Sequence, residues 1–145
     1  MGRSRTVVGK KAAAHLTGVL PYESDIQIAA FELMKTLRLS NGYTLWDFAF
    51  AIPNGSMLAG GPEQRARMMN SMKKQGFKVG VSDIMIALPL GKYHGAFIEV
   101  KRDAKSRVST EQKDWLVHMS ANGYFARIAV GADQLTQAIT EYLWL

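Results

Sequence analysis

Apolar side chains recur at three- and four-residue steps in four segments of the chain, which predicts four helices. The first helix runs from about Pro21 to Leu39, and Asn41-Gly42 is expected to end it. The second begins at Pro62, because proline suits the first helical position, and ends near Gly76. Its buried side is expected to consist of methionines: Met68, Met69 and Met72.

The third predicted helix has the clearest start signal. The residues from Ser109 to Gln112 match the S-x-x-Q capping box, in which the glutamine side chain bonds back to the cap residue. This helix is expected to turn Trp115 and Leu116 inward and to end at Asn122-Gly123. A final helix follows over residues 131–145, with leucine or isoleucine at every fourth position.

Segments rich in aromatic and β-branched residues lie between the helices and predict strands. They cover residues 44–52, two strands within 81–101, and residues 124–130. The order of elements is therefore α-β-α-β-β-α-β-α. This order predicts an α/β domain with a mixed central β-sheet flanked by helices.

The predicted hairpin of residues 81–101 brings charged side chains together. Folding it about Gly91–Lys92 places Asp83 opposite Glu99 or Lys101, because positions 83 and 99 are equidistant from 91. Alternate side chains of a strand point to opposite faces, so Glu99 and Lys101 share one face. Two carboxylates and a lysine on one face suit a divalent cation beside a general base. The alternative is a Glu–Lys pair on a solvated surface.

Composition narrows the class of protein. A length of 145 residues suits one domain, and residues 1–20 form a basic, Ala-rich arm that is either flexible or ordered by a partner. The net charge of +6 favours an anionic partner, although many small basic proteins have none. The absence of cysteine excludes disulfides and thiolate zinc sites and fits a reducing cytoplasm. No apolar run approaches the ~18 residues of a membrane span, so no membrane partner is expected.

Seven short motifs follow one another in order along the chain. They are Glu23 with Gln27, Ile52-Pro53-Asn54-Gly55, Lys74-Gln75-Gly76, Gly80-Val81-Ser82-Asp83, Gly95-Ala96-Phe97-Ile98-Glu99-Val100-Lys101, Ser109 with Gln112 and Trp115-Leu116, and Asn122-Gly123-Tyr124. In this order they make the chain resemble the virus-type replication-repair nuclease (VRR-NUC) family of the PD-(D/E)xK superfamily, over residues 21–145. Ser82 stands where the superfamily has proline, which supplies no ligand.

The resemblance implies a restriction-endonuclease-like core with a metal site in the hairpin. Asp83, Glu99 and the Val100 carbonyl would hold Mg²⁺, for which Mn²⁺ is expected to substitute, and Lys101 would activate water or stabilise charge. Glu23 would lie near the metal; alternatively it only complements the helix dipole.

The resemblance also implies contacts with DNA. Gln112 would touch a phosphate or orient Lys101, unless it only completes the capping box. Asn54 would contact substrate, unless it only serves the turn. Basic residues near the hairpin would grip phosphates, or else form an ordinary solvated surface. They are Lys73, Lys74, Lys78, Arg102, Lys105 and Arg107.

The expected function is a Mg²⁺-dependent, structure-specific DNA endonuclease of repair or recombination. By analogy with stand-alone family members, it would cleave Holliday junctions as a homodimer in a bacterial cell, encoded by phage or prophage. Two alternatives stay open: a nuclease for flaps or splayed arms, and a DNA-binding module without activity. Candidate aromatic residues for the dimer surface are Trp46, Phe48 and Trp144.

Overall fold

The computed structural model describes residues 20–54 and 58–145. It contains four helices: α1 (Glu23–Met34), α2 (Pro62–Lys74), α3 (Thr110–Ala121) and α4 (Gly131–Leu143). Its four strands are β1 (Ala49–Ala51), β2 (Ile84–Ile86), β3 (Ala96–Lys101) and β4 (Phe125–Val130). The predicted order of elements is confirmed. The predicted arm of residues 1–20 lies, except for Leu20, outside the described residues, as does Gly55 of the predicted turn.

The strands form one sheet in the order β1-β2-β3-β4. β1 and β2 pair antiparallel, as do β2 and β3, whereas β3 and β4 pair parallel. The predicted mixed sheet is therefore confirmed. The hairpin register pairs Ile84 with Ile98 and Ile86 with Ala96, so it is centred on position 91 as the sequence predicted.

Helices cover both faces of β3, and all six of its residues are buried. On one face, Ile98 and Val100 join a core with Ile26 of α1 and Ile139 of α4. On the other face, Phe97 meets Trp115 of α3 edge to face, with ring centroids 5.2 Å apart. Polar side chains on β3 are therefore held away from bulk water.

Two predicted elements near the start of the chain are wrong in extent. The first helix ends at Met34 rather than Leu39, because the backbone beyond it forms a tight loop with Leu45 N–H bonded to Leu37 O at 2.9 Å. The predicted strand of residues 44–52 begins instead as a 3₁₀ turn over Leu45–Phe48. Asp47 caps that turn, accepting a 2.7 Å bond from Thr44 N–H, so only Ala49–Ala51 remain as strand.

The predicted burial of the α2 methionines is also wrong. No residue of α2 is buried, and Met68 is 40% exposed. The reason is that α2 lies outside the two helical layers that cover the sheet, so its apolar stripe meets few partners. No helix in the described part of the chain is long and apolar enough to cross a membrane.

Candidate active site

The carboxylates of the hairpin meet at the end of β3. Asp83 precedes β2 directly, and the strand register continued by one pair places it opposite Glu99. Its Oδ2 accepts a 2.8 Å hydrogen bond from the backbone N–H of Val100. Of the two partners that the turn allowed for Asp83, Glu99 and Lys101, the register selects Glu99.

Glu99 and Lys101 form an ion pair in the interior. The Lys101 Nζ lies 2.8 Å from Glu99 Oε1. Glu99 is only 1% exposed and Lys101 only 7%. The Gln112 side chain donates a hydrogen bond to the same oxygen. The other oxygen, Oε2, is buried and has no hydrogen-bond partner among the described residues. The solvated-surface alternative for this pair does not fit that burial.

Burial dominates the electrostatics of both carboxyl groups. It raises the pKa of Glu99 to about 7, although the bond to Lys101 lowers it and neighbouring Asp83 raises it further. Burial also raises the pKa of Asp83, against the opposing effect of the Val100 N–H. Two carboxyls that resist ionisation side by side are stabilised by a proton or by a cation between them.

The donor set fits a magnesium ion. Magnesium prefers oxygen ligands and keeps several waters, so one or two carboxylates suffice to hold it. Asp83 supplies one carboxylate, and the unpartnered Oε2 gives Glu99 a free ligand atom that the Lys101 pair does not use. In the described residues, no group of three His, Cys, Asp or Glu side chains could hold a metal. The metal-ligand roles of these residues stay predictions.

Glu23 approaches the site from the first turn of α1. Its Oε1 accepts a 3.2 Å hydrogen bond from the Arg102 backbone N–H, just beyond β3. It lines the same cleft as Asp83 and Val100. This contact ties the start of α1 to the end of β3, and a metal role for Glu23 stays a prediction.

Gln112 has two bonding roles at once. Its Oε1 accepts a 2.9 Å bond from Ser109 N–H while Ser109 Oγ accepts a 3.2 Å bond from Gln112 N–H, which confirms the capping box. Its amide nitrogen donates to Glu99. The capping role therefore does not exclude a role beside the site.

A glycine allows the chain before Asp83 to pass close to this helix. Gly80 has φ +90°, and a Cβ there would lie 2.6 Å from the carbonyl carbon of Glu111. Glycine is therefore needed both for its conformation and for the space it leaves.

The candidate DNA-contacting residues lie in different environments. Arg102 is engaged within the protein: its guanidinium donates a 2.8 Å bond to Leu20 O and lies 5.3 Å from the Tyr22 ring. Asn54 is exposed on the cleft wall. The remaining basic residues are exposed, namely Lys73, Lys74, Lys78, Lys105 and Arg107. Their phosphate contacts stay predictions.

A cleft of about 730 Å³ opens beside Asp83 and Val100 and runs along α1. Its walls include apolar side chains that sequence reasoning missed as site residues: Ile28, Phe31, Leu58 and Met72. None belongs to a motif, and the helical pattern assigned the apolar residues of α1 and α2 to the core. Only the structure reveals them, because it brings side chains of α1, of the residues around β1 and of α2 to one cleft.

Comparisons with known proteins agree with this fold. The model of the VRR-NUC domain family matches residues 27–133. A solved structure described as a VRR-NUC domain protein is 27% identical, with a TM-score of 0.72 over 85% of this chain and 88% of that chain. Another, described as a VRR-NUC domain, is 18% identical with a TM-score of 0.50 over 83% and 96%, a likeness of fold alone. No protein of curated function matches the chain at a significant level.

Proposed function

This chain belongs to the VRR-NUC domain family, which places it among the nucleases of the PD-(D/E)xK superfamily, and we propose that it is a Mg²⁺-dependent endodeoxyribonuclease. The observation that carries the proposal is the buried Glu99 carboxylate beside Asp83. Its Oε2 has no partner among the described residues, while its Oε1 is held by Lys101 and Gln112. A carboxylate held this way is oriented to bind a cation at one oxygen.

Each residue of the site has a distinct role in this proposal. Asp83, Glu99 and the Val100 carbonyl hold the cation, and Glu23 stands beside them. When bound, the cation supplies charge neutralisation of the scissile phosphate and a lowered pKa of the attacking water. The Lys101 Nζ donates a hydrogen bond to the water or stabilises the negative charge that develops. Gln112 acts as a positioning residue, since it fixes the Glu99 carboxylate from α3.

The test is cleavage of labelled DNA with Mg²⁺, Mn²⁺ or EDTA. We expect cleavage with either cation and none with EDTA. Asp83→Asn and Lys101→Ala should each abolish it, whereas Lys92→Ala, in the hairpin turn at the far end of β3, should not. Wild-type rates in EDTA, or in both site variants, would contradict the proposal. Binding without cleavage under all conditions would identify a DNA-binding module instead.

We propose four-way Holliday junctions as the substrate and a homodimer as the active form. The support is size: one small domain has a limited surface, and two copies related by a two-fold axis would present two sites to opposing strands. Exposed aromatic residues offer surface for such a contact, and Trp144 is 80% exposed. Such a function would place the protein with DNA in the bacterial cytoplasm, and an origin in phage or prophage stays a prediction.

Oligomeric state and substrate preference test this finer proposal. At micromolar concentration we expect a dimer, and symmetric nicking of a four-way junction in preference to linear duplex. A monomer, or equal cutting of junction and duplex, would contradict it. Preferential cutting of flaps or splayed arms would identify the alternative nuclease of the same chemistry.

A further inference from the structure

The cleft beside the carboxylates is elongated and extends along α1. Glu23 and Asp83 lie at one end, and the lining on α1 continues through Gln27 and Ile28 to Phe31 and Glu32. Glu32 lies nine positions after Glu23 on the helix, a rise of roughly 13 Å at 1.5 Å per residue. The cleft is therefore continuous with the site where the proposed function places a phosphate, and it extends well beyond that site.

The chemistry of the lining changes along this direction. Between Glu23 with Asp83 at one end and Glu32 on the last part of the α1 lining, the walls are mostly apolar. Ile28, Phe31, Leu58 and Met72 face the cleft there, together with the amide groups of Gln27 and Asn54. No lysine or arginine from the described residues lines it. Phosphates require basic or backbone N–H partners, so a phosphate backbone is not the group that this part of the cleft suits.

Ile28 is a large apolar side chain that is left exposed in this cleft. It lies on α1 next to the buried Ile26 and Ala30 stripe, yet it is 53% exposed and faces the cleft. Met72 of α2 lines the same cleft and is only half-buried, on a helix with no buried residue. An apolar cleft with a few amide groups and a volume of about 730 Å³ has the character of a pocket for a flat organic group.

We propose that this cleft receives one unpaired nucleobase of the DNA substrate, from the nucleotide next to the scissile phosphate. The inference rests on the proposed function, which positions that phosphate at Asp83 and Glu99. A nucleobase combines apolar faces with polar edges, so it matches apolar walls that carry amide groups. Duplex bases are stacked and paired, and only a base that has left the stack enters such a cleft.

The proposal names a substrate class. Leaving the stack is least unfavourable for a base that is already unpaired or mismatched, and pairs at a branch point lack a stacking neighbour on one side. The cleft therefore selects DNA at the crossing of a junction or at the root of a splayed arm. It does so by base accommodation, with no requirement for a particular base sequence.

The binding experiment uses splayed-arm DNA that carries 2-aminopurine at single positions on either side of the branch point. Fluorescence of this base rises when it leaves the stack. With Ca²⁺ in place of Mg²⁺, so that a cation is present at the carboxylates, we expect wild-type protein to produce a rise at one position beside the branch and none in the linear duplex arm. Ile28→Ala/Met72→Ala should remove that rise. The matched control is Val117→Ala, a 67% exposed residue on α3, which covers the other face of the sheet.

The kinetic experiment replaces the same nucleotide by an abasic residue. Loss of the apolar contacts of Ile28 and Met72 with the base should lower kcat/KM of Ile28→Ala/Met72→Ala by about tenfold on normal DNA. The same variant should match wild type on the abasic substrate, because the lost contact is then absent for both. Val117→Ala should match wild type on both substrates.

The outcomes separate the inference from the proposed function. Normal cleavage with equal rates on normal and abasic DNA, and no fluorescence response, would overturn the inference and leave the nuclease intact. A localised response that Ile28→Ala/Met72→Ala removes, without cleavage of any substrate, would support the inference and overturn the nuclease. A response that Ile28→Ala/Met72→Ala leaves unchanged would also overturn the inference, because the base would then lie elsewhere.

Discussion

Lys101 Nζ lies 2.8 Å from Glu99 Oε1, and the two residues share one face of β3 with a single residue between them. Both are buried beneath α3, so their ion pair is shielded from water. Pairs of this kind gain little net stability, but removing one partner leaves a buried charge without compensation. Stability and catalysis are therefore coupled at this site, and variants can separate them.

Lys101→Met should lower the free energy of unfolding at pH 8 by about 3 kcal/mol, because the buried Glu99 would lose its partner and would have to carry an uncompensated charge or take up a proton. Urea denaturation in EDTA measures this effect. Glu99→Gln/Lys101→Met should recover most of the loss, since no charge remains to be paired. Cleavage with Mg²⁺ should fall by at least about 100-fold in both. If Lys101→Met alone were as stable as wild type, Glu99 and Lys101 would not form a buried ion pair.

The metal-free protein should lose stability as pH rises from about 4.5 to about 7. Burial raises the pKa of Glu99 from 4.5 to about 7, so over this range the folded state binds more protons than the unfolded state. The stabilisation that protonated Glu99 contributes is fully present below the pKa of the unfolded chain, about 4.5, and is lost as the pH rises through the pKa of the folded protein, about 7. Its magnitude is on the order of 3 kcal/mol. Thermal unfolding in EDTA at a series of pH values measures it.

Two additions test the cause of that pH dependence. Glu99→Gln should remove most of the loss of stability with rising pH. The remainder is due to Asp83, because burial also raises the pKa of that carboxyl. Adding Mg²⁺ at pH 8 should raise the melting temperature of wild type, because a ligand that binds only the folded state stabilises it. A melting temperature that rises from pH 4.5 to 7 in EDTA would show that Glu99 is not buried as described.

Gln112 can be tested with a variant that keeps its capping role. Gln112→Ala removes both bonds and should lower stability by about 1 kcal/mol through loss of the cap. Gln112→Glu keeps the S-x-x-E capping box but replaces the donor to Glu99 by a carboxylate. We expect it to retain helix stability yet to cleave at least about tenfold more slowly. Cleavage by Gln112→Glu at the wild-type rate would limit Gln112 to capping.

Gly80→Ala should destabilise the protein by on the order of 3 kcal/mol and weaken cleavage, because the new Cβ would meet Glu111 backbone at 2.6 Å. The matched control is Gly42→Ala, which has nearly the same φ of +89° but no atom within 4 Å of the added Cβ. It isolates conformational strain, on the order of 1 kcal/mol. Equal unfolding midpoints for the two variants would show that the contact with α3 is unimportant.

The basic residues of segment 1–19 should dominate the salt dependence of DNA binding. Arg3, Arg5, Lys10 and Lys11 supply four of the six net positive charges, so the rest of the chain has a net charge of only +2. Replacing all four by glutamine should reduce the slope of log K against log salt by up to about 3–4. Exchanging Arg for Lys and Lys for Arg at the same positions keeps the charge and should keep the slope. An unchanged slope in the glutamine variant would assign phosphate contacts to other residues.

Local signals in the sequence were sufficient for much of the fold. The position of Gly91–Lys92 predicted that Asp83 lies opposite Glu99 or Lys101, because a short turn sets the register of both strands, and the observed register selects Glu99. The capping box at Ser109 and Gln112 was predicted from spacing alone and occurs as predicted. The predicted extent of α1 was wrong, because Leu37 continues the helical pattern of apolar residues but its carbonyl accepts a hydrogen bond from Leu45 N–H across a loop.

The sequence by itself determined the order of elements, the hairpin register and the carboxylates that meet in it, since each depends on residues close together in the chain. Only the tertiary structure decided how deeply Glu99 is buried, because that depends on helices covering both faces of β3. It likewise decided that Glu23 reaches Arg102, 79 positions away. The apolar cleft along α1 also arises only when distant segments pack, because no local pattern records which exposed side chains will face one another.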